Sequence, residues 1–285
     1  MTNATLMDGA ALAARIRAEL AQEVEQLGSI GLATVLVGDD PASQIYIRLK
    51  HKASGEVGIR AIDKRLPADT SEQEVLELVA ELNADDEVDG ILVQTPLPAQ
   101  IDEARVMRAI DPMKDVDGLH PFNAGQLFIG RQTFVGGTPL GIMRLLDEYR
   151  VAVPGARAVV VGRSVIVGRP VAMLLLHANA TVTICHSRTD DLARQTLDAD
   201  ILIAAVGIAQ LITADMVKQG AAVIDVGINR TEDGIVGDVD PGVAEIAAFL
   251  TPVPGGVGPM TIALLLENAV RAARYRRGAL AFPRA

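Results

Sequence analysis

Short apolar runs that are typical of buried strands alternate along this chain with amphipathic stretches that are typical of helices. The run at residues 32–37 (LATVLV) is followed by a Gly-Asp-Asp-Pro stop, and a capping box of Ser71 and Glu74 marks the start of a helix further on. The predicted strands cover residues 32–37, 59–66, 90–93, 158–161, 181–185, 201–205 and 222–225. The predicted helices cover residues 7–27, 41–56, 138–149, 170–179, 190–197 and 260–276, with another after Ser71. Because strands separated by helices pair in parallel, the pattern predicts an α/β fold with helices on the faces of a parallel sheet.

Two irregular segments, residues 111–137 and 250–259, interrupt this alternation with clusters of Pro, Gly and Asp. Long irregular segments in compact proteins are usually functional or serve as linkers. We therefore expect two α/β lobes, one formed by residues 1–137 with 260–285 and the other by residues 138–259. Since ligand sites favour such junctions, a binding cleft is expected between the lobes.

Composition and charge exclude several classes of protein. The 285 residues carry 26 basic and 36 acidic side chains, a net charge of −10 that disfavours binding to nucleic acid. The one basic cluster, residues 271–277 (RAARYRR), is interpreted as the solvated end of a helix, where positive charge complements the helix dipole. A single cysteine excludes a disulfide framework, and no metal site is expected. With no signal-peptide pattern and no apolar run long enough for a membrane span, we expect a cytoplasmic protein.

A strand followed by a glycine turn suggests a nucleotide site at residues 158–169 (AVVVGRSVIVGR). The strand leads directly into Gly162, Ser164 and Gly168, and a helix is predicted to follow. Small residues let the backbone approach a pyrophosphate, and the helix N-terminus attracts its negative charge. The spacing differs from G-x-G-x-x-G, so an ordinary strand–turn–helix connection without a ligand remains an alternative.

The next strand is followed by His186-Ser187-Arg188, at the position where a dinucleotide-binding fold contacts the ribose of the coenzyme. An acidic residue there favours NAD, whereas basic and hydroxyl groups accommodate a 2′-phosphate. Together with Arg163 in the turn, this predicts NADP as the coenzyme. The alternative is that both arginines are merely solvated.

Three polar positions in the first lobe are candidates for chemistry. Tyr46 and Lys50 are spaced i, i+4 on a predicted helix and share one of its faces, although such a pair is usually only helix surface. Desolvation lowers the pKa of a lysine, so that it can act as a base. Gln94 ends a strand, and its amide oxygen could orient the lysine. Asp117 could bond the donor edge of a heterocycle, or could simply belong to an Asp-Gly turn.

Six sequence blocks in order closely resemble the bifunctional methylenetetrahydrofolate dehydrogenase/cyclohydrolase family, over nearly the whole chain. The blocks are GDDPASQIYIRLKHKASGEVGI (38–59), DGILVQTPLP (89–98), DPMKDVDGLHPFNAGQL (111–127), VVGRSVIVGRPVAMLL (160–175), AVIDVGIN (222–229) and TPVPGGVGPMT (251–261). The resemblance implies that 5,10-methylenetetrahydrofolate gives a hydride to NADP. Water then opens the resulting methenyl cation to 10-formyltetrahydrofolate. It also implies a link to purine biosynthesis, and a homodimer joined through the nucleotide lobe.

The resemblance also implies roles for individual residues. Lys50 is the key cyclohydrolase residue, Gln94 assists it, and Tyr46 positions the folate. Asp117 holds the pterin edge, and the segment containing Pro254, Gly255 and Gly256 lines the junction on the substrate side. The residues implied to contact the coenzyme are Gly162, Arg163, Ser164, Val167, Ser187, Arg188 and Ile228. The first lobe would then bind folate, and residues 138–259 would be the Rossmann-like NADP lobe.

Some positions depart from the family pattern. Gly136-Gly137 precedes Thr138-Pro139 where Pro-Cys or Pro-Ala is common, Thr95 replaces a larger apolar residue, and Asp240-Pro241-Gly242 replaces an aromatic ending. None of these changes removes an expected catalytic group. Cys185, at a strand end, is predicted to be a small buried apolar residue.

Two rival functions have other consequences. Short-chain dehydrogenases also use Y-x-x-x-K, but in them the nucleotide turn comes first, whereas here Tyr46 precedes Gly162. A non-catalytic NADP- or folate-binding regulator would bind folate without turnover. The presence of Lys50, Gln94 and Asp117 argues against the regulator.

Overall fold

The computed structural model describes residues 4–232 and 234–283. The strands are β1 (Thr5–Leu6), β2 (Gly31–Val37), β3 (Arg60–Leu66), β4 (Gly90–Val93), β5 (Arg157–Val161), β6 (Thr181–Cys185), β7 (Ile201–Ala204), β8 (Ala222–Asp225), β9 (Asn229–Thr231), β10 (Gly234–Val236) and β11 (Phe249–Leu250). The α-helices are α1 (Gly9–Leu27), α2 (Pro41–Glu56), α3 (Glu72–Ala84), α4 (Glu103–Ala109), α5 (Pro121–Phe128), α6 (Gly137–Glu148), α7 (Gly168–His177), α8 (Leu192–Thr196) and α9 (Val257–Arg276). Short 3-10 helices cover Ala214–Met216 and Pro241–Glu245.

Contacts divide the chain into two compact units. The three-stranded unit comprises Ala14–Gly136 and the chain from Ile262 onward. The six-stranded unit comprises the residues up to Ala13 together with Gly137–Thr261. The two-domain α/β fold class predicted from the sequence is confirmed.

The three-stranded unit is built on a parallel sheet in the order β3-β2-β4. All seven residues of the central strand β2 are buried. Alternate β2 side chains, Ala33, Val35 and Val37, pack with Val75 and Val79 of α3 in one apolar cluster. The capping box predicted from Ser71 and Glu74 is present at the start of α3. The opposite set of β2 side chains includes the buried Thr34.

The six-stranded unit contains a parallel sheet in the order β1-β11-β8-β7-β5-β6. Apart from the exposed Arg157 of β5 and the terminal Asp225 of β8, strands β5, β7 and β8 are apolar and buried, as expected for parallel strands covered on both faces. Cys185, at the end of β6, is fully buried within the apolar cluster of this unit, as predicted. Strands β9 and β10 form an antiparallel pair outside the sheet.

The start of the chain differs from our expectation, which grouped residues 1–137 in one lobe. Thr5 and Leu6 pair in parallel with Phe249 and Leu250 of the six-stranded unit. The backbone N–H of Asp8 also donates to the Tyr149 hydroxyl at 2.7 Å. These long-range contacts join the described N-terminal residues to the six-stranded unit.

The expectation that residues 111–137 are irregular is wrong for part of that segment. Helix α5 lies within it, because Pro121 suits the first turn of a helix and the side chain of His120 caps it by accepting from the Phe122 N–H. Helix α9 begins at Val257, three residues before the predicted start at Met260. The sequence analysis also missed α4 and the short strands β1, β9, β10 and β11.

The basic cluster at the end of α9 makes specific intramolecular contacts that were not predicted, while Arg274 and Arg277 stay partly solvated as predicted. Arg276 is mostly buried and forms ion pairs with Asp86 and Asp89. Arg274 pairs with Glu23, and Arg271 donates to a backbone carbonyl. Across the described residues, no helix combines the length and apolarity needed to cross a lipid bilayer.

Candidate active site

Helix α2 carries the first two candidate residues. Asp40 caps its N-terminus by accepting from the Ser43 N–H at 2.7 Å, and Pro41 occupies the first turn. The inward face of this helix carries Ile47, Lys50 and Ser54 at helical spacing. Ile47 and Ser54 are buried, and Lys50 is half-buried. Tyr46 is also half-buried, one turn before Lys50.

A polar anchor next to Lys50 fixes this face of α2 against the sheet. His51 Nε2 and Thr34 Oγ1 lie 2.7 Å apart, with Thr34 fully buried on β2. Burial is the main cause that lowers the pKa of His51, which favours the neutral ring. The sequence analysis did not identify this pair, whose members are 17 positions apart on different elements.

The structure brings Lys50 and Gln94 into contact. The Lys50 Nζ donates to Gln94 Oε1 at 3.0 Å. Gln94 directly follows β4, and its backbone N–H donates to the Val35 carbonyl at 2.8 Å. Its Nε2 donates to the Thr95 carbonyl at 2.8 Å, which leaves Oε1 free to accept from the lysine. Both ends of the amide are therefore fixed.

Asp117 also affects Lys50. Burial lowers the pKa of Lys50, while the negative charge of Asp117 opposes that shift. Burial likewise raises the pKa of Asp117, and the nearby lysine opposes the rise. Removal of water thus favours the neutral form of both groups, as an amine that must act as a base requires.

The turn that presents Asp117 is held by its neighbour Asp115. Asp115 forms a parallel bridge with Ile91 of β4. Because the two segments run in the same direction, Asp117 lies further toward the carboxyl end of β4. The Asp115 carboxylate accepts from Leu119 N, His120 N and Asn123 Nδ2 at 2.8–3.2 Å. Burial raises the pKa of Asp115 to about 6 despite these bonds.

Asp117 itself is half-buried, and no hydrogen bond to its carboxylate is found within residues 4–232 and 234–283. Gly118 adopts a left-handed conformation (φ +66°), and a Cβ there would lie 2.7 Å from the Phe134 carbonyl oxygen. The Asp-Gly turn considered from the sequence is therefore real, and it leaves the Asp117 carboxylate available to a ligand.

The predicted nucleotide turn follows β5 in the six-stranded unit. Gly162 has φ +128°, and a Cβ there would lie 2.2 Å from the Ala205 carbonyl oxygen. A Cβ on Gly168 would lie 2.2 Å from the Gly162 carbonyl oxygen. Ser164 Oγ accepts from Val167 N at 3.2 Å and from Gly168 N at 3.4 Å, which shapes the entry into α7. Only glycine fits at the first and last of these positions, so the turn has the close-packed form of a phosphate-binding loop.

Basic and hydroxyl side chains lie beside this turn. Strand β6 pairs with β5, and the Gly162 N–H donates to the Cys185 carbonyl at 2.9 Å, so the two strand ends are adjacent. Ser187 and Arg188 are exposed just beyond β6, and Arg163 is exposed in the turn. This arrangement suits the 2′-phosphate that the sequence predicted.

Other predicted residues lie elsewhere. Ile228 is 47% exposed after β8. Pro254 is exposed, whereas Gly256 is buried against the start of α1, where a Cβ on Gly9 would lie 1.8 Å from the Gly256 carbonyl oxygen. The structure thus gives Gly256 a packing role, and its predicted contact with substrate stays a prediction. No cluster of three or more metal-ligating side chains occurs in the described parts of the chain.

Comparisons with known proteins agree with this geometry. The family model of the tetrahydrofolate dehydrogenase/cyclohydrolase catalytic domain matches residues 7–117, and that of the NAD(P)-binding domain matches residues 136–277. A relative from Moorella thermoacetica, called bifunctional protein FolD, is 57% identical over 277 residues, covering 95% of this chain and 99% of the relative.

Two solved structures are also similar. The bifunctional FolD methylenetetrahydrofolate dehydrogenase/cyclohydrolase of Campylobacter jejuni has a TM-score of 0.94 at 49% identity, covering 95% of this chain and 99% of its own. The methylenetetrahydrofolate dehydrogenase-cyclohydrolase of Trypanosoma brucei, complexed with NADP cofactor and an inhibitor, has a TM-score of 0.92 at 40% identity, covering 99% of this chain and 100% of its own.

The coupling between Lys50 and Asp117 can be tested without a substrate. Since the Asp117 charge raises the pKa of Lys50, we expect Asp117→Asn to lower the pKa of Lys50 further. An NMR titration of lysine side chains labelled with 13C at Cε measures this pKa. Asp111→Asn, which removes a charge from the same irregular segment, is the control. An unchanged or raised pKa of Lys50 in Asp117→Asn would contradict the coupling.

Proposed function

Because the chain belongs to the tetrahydrofolate dehydrogenase/cyclohydrolase family, we propose that the residues described above carry out the two reactions of that family. The protein is a bifunctional enzyme that oxidises 5,10-methylenetetrahydrofolate with NADP and hydrolyses the methenyl product to 10-formyltetrahydrofolate. Family membership also sets aside the short-chain dehydrogenase and the non-catalytic regulator considered from the sequence.

The hydrogen bond of 3.0 Å between Lys50 and Gln94 is the observation that carries the cyclohydrolase assignment. The substrate of this step is a cation, which a charged lysine would repel, and burial moves Lys50 toward its neutral form. The water oxygen bonds to the methenyl carbon while the Lys50 amine takes the water proton. The protonated Lys50 then returns that proton to N5 as the bond from the carbon to N5 breaks, and the adduct hydroxyl releases its own proton to water as it becomes the formyl carbonyl. Gln94 orients the amine by accepting one of its N–H groups.

Asp117 and Tyr46 bind and position the folate in this proposal. The Asp117 carboxylate accepts hydrogen bonds from the aminopyrimidine edge of the pterin, because its oxygens have no donor among the described residues. Tyr46 offers a half-buried ring on the same helix face as Lys50. Pro254, Gly255 and Gly256 are proposed to contact substrate on the evidence of the family resemblance.

NADP binds to the six-stranded unit in this proposal. When bound there, NADP would supply the acceptor for the hydride that leaves the one-carbon bridge. Gly162, Arg163, Ser164 and Val167 would hold its pyrophosphate; a Cβ on Gly162 would collide with the Ala205 carbonyl oxygen, so this turn keeps its shape only with glycine there. Ser187 and Arg188 hold the 2′-phosphate, and Ile228 offers an apolar contact.

We expect Lys50→Met to lower cyclohydrolase kcat by at least about a hundredfold, because it removes the proton acceptor. NADP binding should persist, since Lys50 lies in the other unit. Hydrolysis of methenyltetrahydrofolate, followed by its absorbance, measures the first effect, and calorimetry measures the second. Lys52→Met, on an exposed side chain of the same helix, is the control. Equal loss of folding, NADP binding and hydrolysis would make Lys50 a structural residue.

Coenzyme preference tests the 2′-phosphate site. Arg188→Ala should raise the KM for NADP by about tenfold or more and leave the KM for NAD nearly unchanged, because a charge-assisted bond to the phosphate is lost. Initial rates of reduced coenzyme formation with each nucleotide measure this. Arg194→Ala removes a similar exposed charge after the same strand and should have no such effect. Turnover with NAD as efficient as with NADP in the unmodified enzyme would contradict the assignment.

We also propose that the enzyme is a homodimer joined through β6. This strand is one edge of the six-stranded sheet, and four of its five residues are exposed or half-buried. An edge strand with the apolar Ile184 exposed can pair with a second copy of itself. The cytoplasmic location and the link to purine biosynthesis stay predictions.

Light scattering should give twice the chain mass of 30.0 kDa for the unmodified protein, and Ile184→Lys should reduce it toward one chain mass. Ile235→Lys makes the same change on β10 at similar exposure and should leave the mass unchanged. A dimer that survives Ile184→Lys would place the interface elsewhere, and a monomeric unmodified protein would remove the homodimer.

A further inference from the structure

Two buried carboxylates in the six-stranded unit have no part in the chemistry assigned so far. Asp225 ends β8 and is 4% exposed, while Asp238 follows β10 and is 0% exposed. In the described residues, neither carboxylate forms an ion pair with a lysine, arginine or histidine. Burying a charge without a cation is costly, so a position that retains one calls for a physical reason.

Asp238 ties together the two segments that follow β7 and β8. Its Oδ2 accepts from the backbone N–H groups of Val206 at 2.7 Å and Gly207 at 2.9 Å, just after β7. Its Oδ1 accepts from Asn229 Nδ2 at 2.9 Å, just after β8. One side chain therefore fixes the backbone of the first segment and the side chain adjoining Ile228 in the second.

Asp225 in turn fixes Asp238. Asp225 Oδ1 accepts from Asp238 N at 2.8 Å and from Gly227 N at 2.9 Å, and Oδ2 accepts from Val239 N at 3.0 Å. Burial, together with the neighbouring Asp238 charge, raises the pKa of Asp225 to about 6.

The carboxylates lie directly against glycine backbone. A Cβ on Gly227 would lie 2.2 Å from Asp238 Oδ1, and a Cβ on Gly237 would lie 1.7 Å from Asp225 Oδ2. We refer to Asp225, Gly227, Gly237 and Asp238 as the interlock. Its close packing leaves the loops after β7 and β8 little freedom to shift.

The interlock lies at the end of the sheet where a dinucleotide binds. In a parallel sheet of this kind, the coenzyme crosses the carboxyl ends of the strands at the point where the strand order reverses, which here is β5. The 2′-phosphate groups assigned above lie on the β6 side of β5. A dinucleotide with its 2′-phosphate there would place its nicotinamide half on the β7 and β8 side, where Ile208 is 54% exposed and Ile228 is 47% exposed.

We propose that Asp238 is a positioning residue for the nicotinamide half of NADP, acting through the Val206–Gly207 backbone and through Asn229. This inference rests on the proposed binding of NADP to the six-stranded unit. Asp238 does not touch the coenzyme. It holds the loops that do, so that the nicotinamide ring keeps the orientation required for hydride transfer.

The test compares Asp238→Ala and Asp238→Asn with the unmodified full-length enzyme. Asp238→Ala should lower dehydrogenase kcat at saturating NADP by about tenfold or more, since small misplacements of reacting groups are costly. Asp238→Asn should restore part of the rate, because its amide oxygen can still accept from Val206 N and Gly207 N. Asp198→Asn removes an exposed charge in the same unit and is the control.

Two further readouts separate positioning from general damage. Binding of adenosine 2′,5′-bisphosphate, which has the adenine half of NADP and no nicotinamide, should change less than twofold in each variant. Cyclohydrolase activity, which needs no coenzyme, should also be retained.

Equal weakening of bisphosphate binding and dehydrogenase activity, or an unchanged dehydrogenase kcat in Asp238→Ala, would overturn the role of Asp238. Failure of the unmodified enzyme to reduce NADP would instead overturn the proposed function itself.

Discussion

In both units the sheet strands pair in parallel, so their carboxyl ends lie together along one edge of each sheet. Gln94 follows β4 at such an edge, and Gly162, Ser187, Gly207 and Ile228 follow four strands of the larger sheet in the same way. These residues are far apart in the sequence, and only the fold places the strand ends of each sheet side by side. Within the six-stranded unit, parallel pairing therefore brings Gly162, Ser187, Gly207 and Ile228 to one end of the sheet without any long loop being needed.

The ionisable groups removed from water differ in how many hydrogen-bond partners the protein gives them. Asp115 and Asp225 are both surrounded by N–H donors, and each serves to hold a turn. Asp117 lies two residues from Asp115 and has no such donors among the described residues, so its oxygens remain for a ligand. Lys50 donates to Gln94, and its burial lowers its pKa toward the neutral form that the proposed proton transfer needs. The number of fixed hydrogen bonds thus separates the carboxylates that hold turns from Asp117, which we propose binds substrate.

Most of the long strands and helices, and the positions of Tyr46 and Lys50, could be predicted from the sequence because local residue patterns determine them. Apolar runs gave the long strands, and the i, i+4 spacing placed Tyr46 and Lys50 on one face. The sequence analysis named Asp117 in KDVDG but no role for Asp115, since only the fold determines which carboxylate meets the Asn123 amide. The hydrogen bond between Thr34 and His51 joins positions that are distant in the sequence, as do the hydrogen bonds of Asp238. No periodic sequence pattern marks such pairs. Strands of two residues, such as β1 and β11, are too short to form a pattern.

The interlock also has a consequence for how such a chain can vary over generations. A side chain at Gly227 would collide with the Asp238 carboxylate, and one at Gly237 would collide with that of Asp225. A change at either glycine is therefore tolerated only if the opposing acid is replaced by something smaller, which in turn frees the backbone N–H groups that the acid had satisfied. A single substitution at any of these four positions therefore leaves a collision or unsatisfied N–H groups. The four residues should consequently be kept together or replaced together.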